Sequence, residues 1–462
     1  MNRLLGQTTA VCPVCRRLAP GRQMAADDGV HLRTFCAEHG EHERRIHSDA
    51  ARWLAEERFV KPAWIPRAQA GDAGKPCPEG CGHCSRHEQH LCMPIVEITG
   101  RCDLACPICI ADAGHGADMS EDAFAKILDR LLQAEGQIDI LNLSGGEPLL
   151  HPRLLALVDL ALARPGIVRV SISTNGLRLL SEPGLARELA RRRVTVSLQC
   201  DGLDDDITLR LRGRALTQEK LRILDLLAAE DCSTSLVATL ARGVNEGAVR
   251  GLLDLLFGRS HIVSLMIQPL AYAGRARDFP GWSDPLDIAA CITLLGAAGH
   301  PDVAADDFVP LPCSHPRCFS LAFYLATRPG RAMAVNRLLG AGRLLDVVAN
   351  RTVFGLDPDE FRTMQDLLYE LWSGPSGQAP DLQPTLDAVR ILLRRQSCCF
   401  DARQVLSTSE RLVKSVFLHG FQDANTFDLA RLRRCCNAYV LADGRMVPCC
   451  AHNVLGGRED HA

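Results

Sequence analysis

The stretch TGRCDLACPICIADAG (residues 99–114) places three cysteines, Cys102, Cys106 and Cys109, within eight positions in the spacing C-x3-C-x2-C. Iron–sulfur clusters are held by cysteine thiolates, usually four for each [4Fe–4S] cube. Three thiolates on one loop leave one iron free to bind a substrate or a cofactor, much as a catalytic zinc keeps an open position. The spacing therefore favours a catalytic cluster, and a zinc ion completed by a distant residue is the alternative.

The residues around this loop alternate short apolar runs with amphipathic helical segments. Strands are predicted at 94–100, 138–146, 168–174, 194–200, 233–240 and 263–270, and helices at 120–136, 152–163, 184–193, 217–230 and 246–257. This alternation predicts an α/β fold with a parallel sheet, and six such units close only partly into a (β/α)6 barrel. Ligands bind at the carboxyl ends of such strands, where Cys102, Gly145, Asn175 and Asp201 fall.

Composition limits the class of protein. The chain has 462 residues, which is too long for a single hydrophobic core. Its net charge of −3 and its 5% of aromatic residues do not favour nucleic-acid binding. It has 21 cysteines but no apolar leader and no uncharged apolar run of membrane-spanning length. We therefore expect a cytoplasmic protein whose reduced thiols bind metal.

Four regions follow from the distribution of cysteines and apolar residues. We expect a metal-binding knuckle at 1–60, an auxiliary iron–sulfur segment at 61–92, the barrel at 93–275, and a helical C-terminal domain with an auxiliary cluster at 276–462.

The sequence LSGGEP (143–148) ends the second predicted strand of the barrel. Gly145 and Gly146 permit close approach of a ligand to the backbone, and Glu147 is able to accept hydrogen bonds from an ammonium group. One βα unit after a three-cysteine loop, this motif resembles that of the radical S-adenosylmethionine (radical SAM) superfamily. The resemblance implies that Cys102 and its two partners hold the catalytic cluster, and that the Gly-Gly-Glu motif binds the methionine amino group.

Two further motifs share this resemblance. STNG (173–176) and SLQCDG (197–202) match the segments that reach the ribose and methionine, which implies roles for Ser173, Asn175, Ser197, Gln199 and Asp201. Many relatives have Ser-Leu-Asp where this chain has Ser-Leu-Gln. The implied chemistry is reductive cleavage of S-adenosylmethionine to a 5′-deoxyadenosyl radical, which removes hydrogen from an unactivated carbon.

The other cysteines form further candidate metal sites. Cys12, Cys15, Cys36 and His39 have the spacing of a knuckle for zinc or a single rubredoxin-like iron. An auxiliary [4Fe–4S] site is predicted at Cys77, Cys81, Cys84 and Cys92, with His83, His87 and His90 as alternative ligands. A second is predicted at Cys313, Cys318, Cys435 and Cys450, near an expected hairpin around Asp443–Gly444. The doublets at 435–436 and 449–450 leave this choice open, and Cys398 or Cys399 are substitutes.

The order of these motifs resembles the branch with archaeal tetraether lipid synthases and dihydro-hydroxymethylpterin methyltransferases. That resemblance implies carbon–carbon bond formation on lipid chains or, alternatively, radical methylation of a dihydropterin, with an electron donor such as a flavodoxin or ferredoxin. The apolar segment 319–345 is interpreted as a core helix or as a peripheral membrane contact. Gln268 and Arg275 suit either substrate. A non-catalytic electron carrier or metal-binding scaffold is the alternative of another class.

Overall fold

A computed structural model describes residues 3–62, 65–69, 74–75, 77–78, 80–281, 283–312, 314–348, 366 and 410–456. The predicted ligand Cys313 and its possible substitutes Cys398 and Cys399 lie outside these residues. The strands are β1 (Arg3–Val11), β2 (Leu18–Ala26), β3 (Gly29–Cys36), β4 (Gly40–His47), β5 (Ile95–Thr99), β6 (Ile138–Gly145), β7 (Ile167–Thr174), β8 (Thr195–Gln199), β9 (Thr234–Leu240), β10 (Ile262–Pro269), β11 (Val309–Pro310), β12 (Phe319–Arg328), β13 (Arg331–Ala334), β14 (Val413–His419), β15 (Ala438–Val440) and β16 (Met446–Pro448). The helices are α1 (Ala50–Glu56), α2 (Glu121–Glu135), α3 (Leu154–Leu162), α4 (Leu177–Ser181), α5 (Pro183–Arg191), α6 (Asp205–Arg212), α7 (Thr217–Ala229), α8 (Val249–Gly258), α9 (Ile288–Ala297), α10 (Val335–Leu339), α11 (Ala341–Val348), α12 (Leu429–Arg433) and α13 (Cys449–Leu455).

Strands β1 to β4 form a separate antiparallel meander in the order β1-β2-β3-β4. In such a meander the β1–β2 and β3–β4 turns lie at the same end of the sheet. The first turn carries Cys12 and Cys15, and the second begins at Cys36 and carries His39. The fold therefore brings the four predicted knuckle ligands to one place.

The barrel prediction is confirmed. Strands β5 to β10 are neighbours in chain order, and each pairs in parallel with the next. Their apolar residues, such as Val96, Leu141, Ile172 and Leu265, are buried in one core with the inner faces of the crossover helices. Polar residues such as Asn142, Ser173 and Ser197 alternate with them and point to the other face of the sheet. The expected cap of α2 is also present, because Ser120 Oγ accepts a 3.2 Å hydrogen bond from the Ala123 amide.

The C-terminal region contains the strands β11 to β14, which the sequence does not predict, beside the helices α9 to α13. Residues 319–328 form the buried strand β12, and β13 follows it after a turn. The core-helix prediction is therefore wrong for the strands β12 and β13, whereas α10 and α11 follow them as helices. The peripheral membrane contact stays a prediction. A ten-residue apolar run fits a strand or a helix equally well, and only its pairing with β14 decides between them.

The C-terminal strands extend the barrel sheet at both of its edges. Strand β14 pairs in parallel with β10, and β15 pairs with β5 through Tyr439 and Ile95. The predicted hairpin around Gly444 is present as β15 and β16, with φ of +82° at Gly444. Within the part of the chain that the structure describes, no helix is long and apolar enough to cross a membrane.

Candidate active site

A cavity of about 300 Å³ lies at the carboxyl ends of the barrel strands. Its walls come from the three-cysteine loop, from the ends of β6 to β10, and from the C-terminal strands β14 and β15. Cys102, Cys106 and Cys109 line it, and so do all but one of the predicted cofactor-binding residues, namely Gly145, Gly146, Glu147, Ser173, Asn175, Ser197 and Gln199. The exception is Asp201, which is fully buried behind the wall.

The cysteine loop is held from two sides. Asn175 Nδ2 donates a 2.6 Å hydrogen bond to Asp103 Oδ1, and the Arg275 amide donates a 3.0 Å bond to the Cys109 carbonyl. The three thiols are half-buried and unbridged, and all face the cavity. Burial raises the pKa of Cys102 to about 11, so a bound metal cation is what would keep its thiolate ionised. This donor set fits a [4Fe–4S] cluster with one open iron.

The two glycines allow the strand end to pack against the cysteine loop. A Cβ on Gly145, where φ is +119°, would lie 2.2 Å from the Thr99 carbonyl oxygen. A Cβ on Gly146 would lie 2.1 Å from the Arg101 carbonyl oxygen. The Gly146 amide donates to Thr99 and the Glu147 amide to Arg101, at 2.8 and 2.7 Å. No other residue type fits this contact without moving the loop.

Glu147 is buried and held in one orientation. Its Oε1 accepts hydrogen bonds from Thr174 Oγ1 at 2.6 Å and from the Leu149 amide at 3.0 Å, and its Oε2 accepts one from the Asn175 amide at 2.7 Å. Burial raises the pKa of Glu147 to about 7, although these hydrogen bonds oppose the shift. Because Oε2 accepts only one of these bonds, it retains capacity for a ligand donor.

The sequence did not reveal Arg212, which lines the cavity beside Cys106. Its Nε and Nη2 each donate a 2.7 Å hydrogen bond to Asp201. The predicted residue Asp201 therefore contacts the cavity through Arg212 rather than directly. Coulombic attraction and hydrogen bonding to Asp201 raise the pKa of Arg212 despite its burial, so this guanidinium stays charged.

Gln199 is bonded at both ends of its side-chain amide. Its Nε2 donates to Asp201 at 2.5 Å, and its Oε1 accepts from the buried Lys220 Nζ at 2.9 Å. Lys220 also donates to the Asn175 carbonyl at 2.7 Å, and burial lowers its pKa to about 8. The amide that replaces the family's aspartate thus links strand ends and has one N–H left for a ligand.

The knuckle has the geometry of a single-ion site. One ligand atom from each of Cys12, Cys15, Cys36 and His39 lies within 4.8 Å of the others. Cys36 Sγ is 3.9 Å from Cys15 Sγ and 3.5 Å from His39 Nδ1. Three thiolates and one imidazole suit a tetrahedral zinc ion.

The predicted auxiliary ligands are grouped differently from the sequence assignment. Cys77, Cys81 and Cys84 surround one small cavity with His83, His87 and Arg433. Cys92 does not line this cavity; it belongs to the same buried cluster as Cys318 and Cys436, and its amide donates to the Cys436 carbonyl at 3.0 Å. The fourth ligand of the first auxiliary site therefore stays a prediction. His90 Nε2 is 3.6 Å from Cys92 Sγ.

Cys318, Cys435 and Cys450 lie near one another. Burial raises the pKa of Cys435, and charge on Cys450 and Cys318 raises it further. Arg431 Nε donates a 3.4 Å hydrogen bond to Cys318 Sγ, and the Gln422 amide donates one of 3.3 Å to Cys450 Sγ. These donors stabilise thiolate ligands, which fits an auxiliary iron–sulfur site.

Comparison with known proteins agrees with this geometry. Residues 96–256 match the radical SAM superfamily, and residues 4–48 match the HMPTM N-terminal zinc ribbon domain. The chain is therefore a radical SAM enzyme, a class that requires a [4Fe–4S] cluster and S-adenosylmethionine.

Two curated relatives show how far the similarity extends. The chain is 24% identical to the 7,8-dihydro-6-hydroxymethylpterin dimethyltransferase of Methanocaldococcus jannaschii over 98% of this chain and 94% of that protein. It is 34% identical to the GTP 3′,8-cyclase of Parasynechococcus marenigrum over 35% of this chain, and spans only 51% of that relative.

Solved radical SAM structures match less of the chain. Streptococcus suis SuiB bound to S-adenosylmethionine has 15% identity and a TM-score of 0.36, covering 44% of this chain and 46% of that chain. Methylornithine synthase has 11% identity and a TM-score of 0.35, covering 45% of this chain and 63% of that chain.

Proposed function

We propose that this enzyme catalyses radical methylation of a carbon atom in a dihydropterin-like heterocycle. The observation that carries the proposal is the extent of the similarity to the pterin dimethyltransferase, which spans 98% of this chain and 94% of that protein. Similarity of that extent includes the zinc ribbon and the C-terminal strands as well as the barrel. Those strands supply part of the cavity wall, where a substrate would be recognised.

The cavity suits a small planar polar molecule. Apolar side chains such as Ile95, Val237 and Phe421 alternate around it with polar ones such as Gln268 and Asn437. Pockets of this kind bind a flat ring through its faces and fix its orientation through a few polar groups. A long hydrocarbon chain has no donors or acceptors with which to form hydrogen bonds to these polar side chains.

The site residues divide the binding of the cofactor among them. Cys102, Cys106 and Cys109 would hold the cluster. Glu147 would accept a hydrogen bond from the methionine ammonium, and Arg212 would pair with the carboxylate. When bound, the cluster and S-adenosylmethionine supply an electron and a 5′-deoxyadenosyl radical that removes a hydrogen atom from the substrate. The hydrogen bonds to Glu147 and the ion pair of Arg212 with Asp201 fix both side chains before the ligand arrives, which lowers the cost of ordering the site.

The predicted carbon–carbon coupling of lipid chains is the second candidate. The apolar segment from residue 319 that suggested a membrane contact begins with a buried strand of the sheet, so this observation no longer favours a lipid. The electron donor, expected to be a flavodoxin or ferredoxin, and two auxiliary clusters remain parts of the proposal.

One experiment distinguishes the two substrates. Anaerobically reconstituted protein is incubated with S-adenosylmethionine, a reductant, and either 7,8-dihydro-6-hydroxymethylpterin or extracted lipids, and the products are identified by mass spectrometry. The proposal expects a pterin that has gained the mass of one or more methylene units, formed only when Cys102, Cys106 and Cys109 are intact. Joined lipid chains that have lost two hydrogens, with an unchanged pterin, would contradict it.

A further inference from the structure

His419 ends strand β14 and lines the cavity, although nothing in the sequence marks it. Its ring centroid is 3.9 Å from that of Phe319 in a stacked arrangement and 4.0 Å from that of Phe421. Two rings at these distances cannot occupy the same face of an imidazole, so His419 lies between them. Because both faces are covered, the edge of the ring, which carries the nitrogens, is what His419 presents to the cavity.

The imidazole of His419 is uncharged, and its nitrogens are available for hydrogen bonds with a ligand. Within the described residues, neither ring nitrogen of His419 has a hydrogen-bond partner. Burial, with the nearby Arg431 as a smaller cause, lowers the pKa of His419 to about 3. A neutral imidazole carries one N–H donor and one nitrogen acceptor on the same edge. His419 therefore offers both to a ligand without adding charge.

Asn437 gives a second, independent indication of a polar ligand. It lines the same cavity and is 1% exposed, and its Nδ2 has no hydrogen-bond partner among the residues that the structure describes. Its Oδ1 is 3.8 Å from Cys436 Sγ. A buried amide N–H without a partner is costly, and such groups in folded proteins call for an explanation such as a ligand.

The two side chains come from opposite edges of the barrel sheet. His419 ends β14, next to β10, and Asn437 precedes β15, next to β5. Both line one cavity, so the two edges of the sheet approach each other there. A ligand bound between them would contact both C-terminal strands as well as the barrel.

We propose that His419 and Asn437 recognise the polar edge of a planar heterocyclic substrate, the pyrimidinone edge of a dihydropterin. This inference rests on the proposed function and names the residues that select its substrate. The pyrimidinone edge carries oxygen and nitrogen acceptors beside N–H donors, so one nitrogen of the imidazole and the free N–H of the amide each find a partner on it. A site built to satisfy such groups discriminates strongly against a molecule that lacks them.

The test measures binding of 7,8-dihydro-6-hydroxymethylpterin by anaerobic equilibrium dialysis. His419→Phe keeps an aromatic ring between Phe319 and Phe421 but removes both nitrogens, and Asn437→Leu removes the amide. We expect each variant to bind the dihydropterin at least tenfold more weakly than wild type. His419→Asn, which restores a donor and an acceptor, should recover part of the loss. The matched control is Phe417→Leu, on the same strand but outside the cavity lining, which should bind like wild type.

The outcomes separate this inference from the proposed function. If wild type binds the dihydropterin and His419→Phe binds it equally well, the recognition role is overturned while the proposed function stands. If wild type binds no dihydropterin, both are overturned. Equal losses of dihydropterin and S-adenosylmethionine binding in His419→Phe would also overturn the inference, because they would show general damage to the site rather than lost recognition.

Discussion

At the scale of single residues, the charged groups of the site are held by partners that exclude water. Arg212 is bound at two positions by Asp201, whose side chain is 0% exposed. Asp201 also accepts a 2.9 Å hydrogen bond from the Thr239 amide. Loss of one member of such a pair leaves a buried charge without a partner, which costs far more than loss of a surface pair.

Arg212→Leu should therefore destabilise the protein by about 3–5 kcal/mol, the usual cost of breaking a buried ion pair from one side. Chemical denaturation followed by circular dichroism measures the change. The control is Arg187→Leu, which removes an exposed pair with Glu230 and should leave the unfolding midpoint nearly unchanged. Equal shifts of the unfolding midpoint in the two variants would show that the ion pair between Arg212 and Asp201 contributes no more to stability than a surface pair does.

Gly146→Ala should displace the cysteine loop, because its Cβ would lie 2.1 Å from the Arg101 carbonyl oxygen. We expect S-adenosylmethionine binding to fall at least tenfold. Gly251→Ala is the control, since Gly251 is exposed inside α8 with no atom within 4 Å of its Cβ. That change should stabilise the helix by about 0.5–1 kcal/mol. Unchanged cofactor binding in Gly146→Ala would contradict the packing argument.

The sequence predicts residues such as Cys102 and Gly146, because the spacing of their motifs indicates which group they bind. It does not predict Arg212, because Arg210 and Arg214 lie two residues away on either side and nothing in the sequence distinguishes the three; in the structure those two are exposed. Only the packing of α6 on the barrel decides which arginine reaches the cavity. His419 escapes prediction for the same reason, since its role depends on neighbours distant in sequence.

At the scale of elements, the zinc ribbon offers two histidines for one metal position. His39 Nδ1 is 3.5 Å from Cys36 Sγ, whereas His42 Nε2 is 4.0 Å from Cys12 Sγ. The common separation of 4.8 Å or less includes His39 with all three cysteines. His39 is therefore the fourth ligand that the geometry favours.

His39→Ala should lower the metal affinity of the ribbon more than His42→Ala does, because only the first change removes a ligand. Competition with a chromogenic chelator, followed by metal analysis, measures the difference. Cys232→Ala, which changes a buried core cysteine of the barrel, should leave the bound zinc unchanged. A greater loss in His42→Ala would reassign the ligand.

Elements with a clear periodicity are predictable, and β12 shows the limit. The barrel strands and helices alternate at regular spacing, so each supports the assignment of the next. Residues 319–328 have no such neighbours, and their apolar pattern fits either type of element. The strand exists because β14 pairs with it from Phe319 to Leu325, which is a tertiary contact.

At the scale of the whole molecule, the C-terminal strands cover both edges of the barrel sheet and complete the cavity. Strand β14 covers β10, and β15 covers β5. Exposed edges of a sheet present unpaired backbone groups to other chains. No sequence motif indicates that β14 pairs with β10 or that β15 pairs with β5. The placement of the C-terminal strands could therefore not be predicted from the sequence.

A chain that ends before residue 410 should therefore self-associate, because it exposes the edges of β5 and β10. Size-exclusion chromatography with light scattering compares it with the full chain. The control is Arg411→Ala in the full chain, which removes an ion pair and a carbonyl hydrogen bond to Asp231 but leaves the strands in place, and it should behave as wild type. A truncated chain with the oligomeric state and unfolding midpoint of the full chain would contradict this role.

The central claim is that the loop with Cys102, Cys106 and Cys109 holds a cluster whose open iron binds S-adenosylmethionine. The most direct measurement is the electron paramagnetic resonance spectrum of the dithionite-reduced, reconstituted protein with and without that molecule. We predict a cluster signal that changes when S-adenosylmethionine is added, and that is missing from the variant with all three cysteines replaced by alanine. A spectrum that S-adenosylmethionine leaves unchanged, or a triple variant with the same response as wild type, would contradict the claim.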